Sequence, residues 1–201
     1  MSDVINKWDT IYKPLTVDAN AITPVLSENV FLLPEQGQAL DLACGLGADA
    51  IFLAAQGLAV TAWDISGVAI EKLQAYARQQ QLQINACRQN ITRNSFAEKA
   101  FDVIVVSRFL DRSLMDAIIS ALKPNGLLFY QTFTRQKLTP QSGITRHTPN
   151  NPDYLLAENE LLQLFSELKL VFYRENGLLG NQESGLRNET QFIGQKRSNS
   201  D

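Results

Sequence analysis

Short apolar runs recur along this 201-residue chain, separated by amphipathic stretches, and that alternation constrains the fold more than any other feature. The strand-like runs are QALDLA (38–43), LAVTAW (58–63), QINAC (83–87), FDVIVVS (101–107), LLFYQTF (127–133), LKLVFYRE (168–175) and TQFIGQK (190–196). Helical patterns fill the gaps. One covers 48–56 and stops at Gly57; another follows Ser66 as N-cap, with Val68, Ile70, Leu73 and Ala77 as its buried stripe. LMDAIISALK, ended by PNG, and AENELLQLFSEL read as two more. This order predicts an α/β fold with a seven-stranded, mostly parallel sheet and helices on both faces. No helix fits in 176–189, so the last two strands are expected to pair antiparallel through a long hairpin.

Length and content suit one domain over 1–201. Two segments stand outside the repeating pattern. Residues 1–24 read as an N-terminal cap, in which Trp8 and Tyr12 share a helical face. Residues 134–153 form a polar stretch with three prolines that reads as a lid-like loop leaving a parallel strand, and 195–201 read as a solvated tail. The formal net charge of −3 gives no broad drive toward nucleic acid or anionic lipid. No apolar run reaches about 18 residues, and the first residues lack an apolar signal core, so a cytoplasmic protein is expected. Cys44 and Cys87, the only two cysteines, have neither disulfide-framework nor metal-type spacing, and no metal is expected.

The chemistry centres on ALDLACGLGADA (39–50), an apolar strand running through a turn with Gly45 and Gly47 into a helix. Its shape matches one form of the dinucleotide fingerprint, but Asp41 and Asp49 flank it. Two unit charges about 4 Å apart interact by roughly 4 kcal/mol at an effective dielectric of 20. That repulsion disfavours a pyrophosphate and favours an ammonium or sulfonium group, both of which S-adenosylmethionine carries. Asp64, nineteen positions after Gly45, ends the second strand, where an acid accepts bonds from ribose hydroxyls. Asn90 is placed to read an adenine amino group, with Ile65 and Ile91 on the two faces of the ring.

ALDLACGLGADAIFLAAQGLAVTAWDIS, FDVIVVSRFL and LKPNGLLFYQTF together resemble the signatures of class I S-adenosylmethionine-dependent methyltransferases, over roughly 25–135. W-x-x-x-Y near the start and NPDYLLAENELLQLF are more loosely similar to the small tellurite-resistance-type and thiopurine-type members. The resemblance implies a Rossmann-like seven-stranded sheet with an antiparallel last strand. It further implies that Asp41 and the Gly45/Gly47 turn hold the amino-acid end of S-adenosylmethionine, with Asp64 on the ribose and Ser107 at the end of the fourth strand beside the cofactor. Ala43 stands where many members have the first glycine, and Asn90 where an aspartate is common.

After the fourth strand the chain reads SRFLDRSL, not the [DN]-P-P-[YF] with which similar enzymes methylate amino groups of bases and glutamines. The expected function is therefore methyl transfer to a small acceptor, such as a thiol or a chalcogen oxyanion. A macromolecular methyltransferase working with a partner, and a non-catalytic cofactor-binding module, are the alternatives. Arg108 is a candidate to orient an anionic substrate or the cofactor carboxylate; a pair with Asp111 or another surface acid is the competing role. Tyr12, with Trp8, is a candidate cover for the methyl site, against simple packing of the N-terminal helix. His147, the only histidine, is a candidate general base in the lid-like loop, against an idle exposed side chain. Tyr154 is expected to pack that loop onto the body, and Cys44 to act as a small apolar filler.

Overall fold

The computed structural model describes residues 2–136 and 149–198. Seven strands form one sheet: β1 (Gln38–Leu42), β2 (Ala59–Asp64), β3 (Ile84–Arg88), β4 (Phe101–Ser107), β5 (Leu122–Phe133), β6 (Lys169–Glu175) and β7 (Glu189–Gln195). Their spatial order is β3-β2-β1-β4-β5-β7-β6. Strands β1 to β5 pair parallel, and β7 lies antiparallel between β5 and β6. The expected sheet, including its antiparallel last strand, is the one found.

The helices are α1 (Ser2–Tyr12), α2 (Pro24–Ser27), α3 (Ala48–Ala55), α4 (Gly67–Gln79), α5 (Met115–Ala121) and α6 (Glu160–Leu164). Period-2 alternation in the central strands divides the core between the two faces of the sheet. On one, Leu40, Ile104, Leu128 and Tyr130 meet Ile118 of α5 and Phe165 just past α6. On the other, Val103, Val105 and Phe129 meet Leu26 of α2, Leu53 of α3 and Leu73 of α4. Ser66 caps α4 as expected, its Oγ accepting from Ala69 N at 3.2 Å. Gly57, at φ 96°, lies just past α3 in a conformation that favours glycine.

Four local expectations are corrected. The buried stripe of α4 uses Ala69 beside Ile70, Leu73 and Ala77, while Val68 is half-buried. β5 begins at Leu122 rather than 127, because Phe101 pairs with Leu122 across a register irregularity that takes the PNG turn into the strand. The AENELLQLFSEL helix shrinks to α6, since Asn159 is left-handed at φ 58° and Glu160 turns back to accept from Ala157 N at 2.7 Å. Tyr154 is half exposed, and Leu155 and Leu156 anchor that segment instead.

The strand order reverses between β1, whose connection leads out to β2 and β3, and β4, which continues toward β5 and beyond. Parallel sheets open a crevice at such a point, outside the carboxyl ends of the strands. Residues 43–47 after β1 and 107–108 at the end of β4 meet there.

Candidate cofactor and acceptor site

A cleft of about 290 Å³ opens at that switch point. From the glycine turn it is lined by Asp41, Ala43, Cys44, Gly45 and Gly47, and from the end of β4 by Ser107 and Arg108. Thr16, Asp18 and Thr23 complete the rim from the segment between α1 and α2, and Tyr12 closes it from above. Most candidates read from the turn and the fourth strand are therefore brought together.

The turn needs left-handed backbone three times, at Ala43 (φ 57°), Gly45 (φ 53°) and Gly47 (φ 79°). Only glycine adopts this without strain, which accounts for the glycine common at the first of these positions. A Cβ on Gly47 would fall 2.5 Å from both Leu73 methyls, so this glycine serves helix–strand packing. A Cβ on Gly45 would fall 2.7 Å from Tyr12 Oη, so this one serves close approach from above.

Three acids surround the turn and each is tied to backbone. Asp41 Oδ2 accepts from Ala50 N at 2.9 Å. Asp64 takes Gly45 N on one oxygen and Ser66 N on the other, both at 2.8 Å. Asp49 accepts from Thr23 N at 2.8 Å and from the Thr23 hydroxyl, which lies 2.9 Å from Ser107 Oγ. Burial pushes the Asp41 carboxyl well up, and the Asp49 charge adds to the shift. Burial also raises Asp49, opposed by its Thr23 bonds and by the Arg108 charge, and raises Asp64 against three backbone N–H groups. Cys44 is pushed up by burial and then by Asp41, which keeps the thiol neutral and in its filler role. Tyr12 is raised by burial and by the Asp64 charge.

The adenosine-side candidates lie on the neighbouring strand ends, beyond the lining of the cleft. Asp64 pairs in register with Arg88, and Gln89 N donates to Asp64 O at 2.8 Å, which sets 89–91 beside Asp64 and Ile65. Asp64 is 5% exposed. Helix α1 lies against α4 here: Asp9 accepts from Ser66 Oγ at 2.5 Å and Val68 N at 3.3 Å, and Lys72 Nζ donates to Tyr12 O at 2.8 Å. Asn90 is exposed, Ile65 is half-buried, and Ile91, also half-buried, packs against the core. Trp8 stacks on Tyr12 with centroids 5.7 Å apart, but only Tyr12 reaches the cleft.

Arg108 lines the cleft, and its Nε donates at 3.0 Å to Glu189 Oε1, a buried acid rather than Asp111 or another surface acid. Asp111 is instead occupied with Ser113 N. His147 lies outside the described residues, as does most of the 134–153 loop. Thr23, Asp9 and Glu189 were not anticipated. Thr23-Pro24 opening a helix carried a readable signal for the first; Asp9 and Glu189 reach their partners only through tertiary contact.

The donor set fits S-adenosylmethionine. Burial raises three carboxyls around one turn, and a cationic group beside them restores their charged form. A pyrophosphate would deepen the same strain. Asp64, at the end of β2, retains acceptor capacity beyond its backbone bonds for a ribose hydroxyl.

Residues 39–126 match the model of a methyltransferase domain family. Ubiquinone biosynthesis O-methyltransferase of Rickettsia conorii is 31% identical over 154 residues, covering 70% of this chain and 53% of that protein. The chain spans about half the length of the curated relatives it matches. TehB from Haemophilus influenzae shares the fold at TM-score 0.68 and 22% identity, over 89% of this chain and 63% of that one. A protein of Pyrococcus horikoshii shares it at 0.70 and 18%, over 94% and 99%. The domain match runs from the first strand into the fifth, the stretch that builds most of the cleft, and marks residues 39–126 as a methyltransferase domain.

Proposed function

We propose that this protein transfers a methyl group from S-adenosylmethionine to a small-molecule acceptor. The observation that carries the reading is the set of three carboxyl groups, Asp41, Asp49 and Asp64, hydrogen-bonded about the glycine turn that lines the cleft. S-adenosylmethionine supplies a sulfonium methyl: the C–S bond breaks with its electron pair left on sulfur, and an acceptor lone pair forms the new bond. The chain's own residues bind, orient and exclude water. Asp41 and the Gly45/Gly47 turn hold the amino-acid end, Asp64 the ribose, and Ile65, Asn90 and Ile91 the adenine. Tyr12 and the segment 1–24 cover the donor, and residues 1–201 act as one domain.

A thiolate or a selenium or tellurium oxyanion needs no proton removed by the protein. An oxygen nucleophile, the type named for the curated relatives, is the second reading; it needs a base, for which His147 is the candidate. No helix among the described residues is long and apolar enough to cross a membrane, and both cysteines are free thiols, in keeping with a cytoplasmic setting.

The test is a cell-extract assay with isotope-labelled S-adenosylmethionine, read by mass spectrometry, with Asp64→Ala as control. Label in a small molecule, together with strongly weakened S-adenosylhomocysteine binding in D64A, is expected. Label confined to RNA or protein would replace the acceptor class, and unchanged affinity would remove Asp64 from the ribose role.

A further inference from the structure

Arg108 brings a guanidinium to a cleft whose other charged lining groups are carboxyls. It follows β4 directly in a left-handed conformation (φ 51°), and its backbone N–H is fixed to Gln131 O at 2.7 Å. Strained backbone at a non-glycine residue persists where its surroundings over-determine it, commonly beside a ligand. Behind it lies a chain of buried polar groups. Glu189, whose side chain is 1% exposed, takes Arg108 Nε and the Gln131 side-chain amide. Gln131 Oε1 accepts from Val25 N at 3.0 Å and from Gln191 Nε2 at 2.9 Å. Gln191 Oε1 in turn accepts from Arg174 Nε at 2.7 Å. The network links the end of β4 to β5, β6, β7 and α2, and it holds the carboxylate that aims the guanidinium.

We propose that Arg108, positioned by Glu189, anchors an acceptor that carries a carboxylate or similar oxyanion. Nε is used inward; among the described residues neither Nη1 nor Nη2 has a hydrogen-bond acceptor, and the side chain is 40% exposed on the cleft. The end-on edge formed by those two groups matches an oxyanion with two parallel N–H donors. The acids of the turn and Arg108 line the same cleft, so it offers carboxyls from the turn and a guanidinium from the end of β4. This inference rests on the methyl-transfer reading and adds the acceptor's charge. Glu189 touches neither substrate and acts as a positioning residue.

Labelled products from wild-type protein are separated by anion exchange at neutral pH. The Arg108→Gln, Glu189→Gln and double variants are measured for S-adenosylhomocysteine affinity by calorimetry, for melting temperature and for acceptor KM and kcat. The expected product is acidic, and its mass separates a carboxylate from an inorganic oxyanion. R108Q is expected to lower kcat/KM on the order of 100-fold, the effect of removing a charged hydrogen-bond pair, with S-adenosylhomocysteine affinity within about twofold of wild type. E189Q is expected to raise acceptor KM more than it lowers kcat. In R108Q/E189Q the melting temperature should recover while KM does not.

A neutral or cationic labelled product overturns the inference and leaves methyl transfer standing. So does recovery of KM in the double variant, which would make Arg108 merely the counter-ion of Glu189. Loss of S-adenosylhomocysteine affinity in R108Q moves Arg108 to the donor carboxylate and also overturns it. No labelled product, with S-adenosylhomocysteine still bound, removes the methyl-transfer reading and this inference with it.

Discussion

Gly45 and Gly47 share one turn and one backbone conformation, yet alanine at each is expected to fail for different reasons. Placing a Cβ on left-handed backbone costs about 1–2 kcal/mol, and both positions incur this. At Gly47 the new methyl meets two buried Leu73 carbons at 2.5 Å. Leu73 is fully buried and cannot retreat, which adds about 1–3 kcal/mol of overpacking. At Gly45 the methyl meets only Tyr12 Oη at 2.7 Å, the far end of a side chain on α1, a helix with no buried residue. Removing that hydroxyl leaves Tyr12 Cζ as the nearest atom, at 3.2 Å, which is tight but tolerable. For a domain of this size each 1 kcal/mol moves the melting temperature about 2–4 °C. Gly47→Ala should therefore lower it by about 4–20 °C and Gly45→Ala by about 2–8 °C. The informative measurement is a double-mutant cycle of G45A with Tyr12→Phe, read by thermal and urea unfolding and by S-adenosylhomocysteine calorimetry. The alanine should be better tolerated in the Y12F background, with a favourable coupling of about 1 kcal/mol. Zero coupling would mean that Tyr12 does not sit over the turn in solution, and the account of α1 as a cover would fall.

Asp41 and Asp49 carry raised carboxyls, so the folded chain keeps protons that the unfolded chain has already released. Ligand-free stability should then fall as pH rises from the ordinary carboxylate range through the raised one, and level off above it. Binding S-adenosylmethionine should release protons in that window and tighten as pH rises. Calorimetry in buffers of different ionisation enthalpy checks this, and proton uptake would refute the cation reading. Ala43→Gly should leave stability unchanged or raise it by up to about 1 kcal/mol, since relief of left-handed strain outweighs the entropy glycine adds to the unfolded chain. A clear fall in melting temperature would show that the Ala43 methyl packs usefully.

Strand count, helix placement, the Ser66 cap and the glycine turn were legible because each depends on short-range periodicity and backbone preference. The placement of Asp41 and Arg108 on one cleft was legible for a related reason: in a parallel sheet, the carboxyl ends of the strands flanking the switch point meet there whatever lies elsewhere, with Asp64 on the next strand end. The start of β5 and the length of α6 were not, since a register irregularity opposite Phe101 and the left-handed Asn159 overrode local propensity.

The sequence by itself determined the sheet, the turn and the sign of charge around it, all written in neighbouring residues. Only tertiary structure decided that Asp49 is pinned by Thr23, that α1 sits on α4 through Asp9 and Lys72, and that Glu189 aims Arg108. Glu189 stands 81 residues beyond Arg108. No local pattern marks such a pair, because the antiparallel insertion of β7 beside β5 is what carries the Glu189 carboxylate to Arg108.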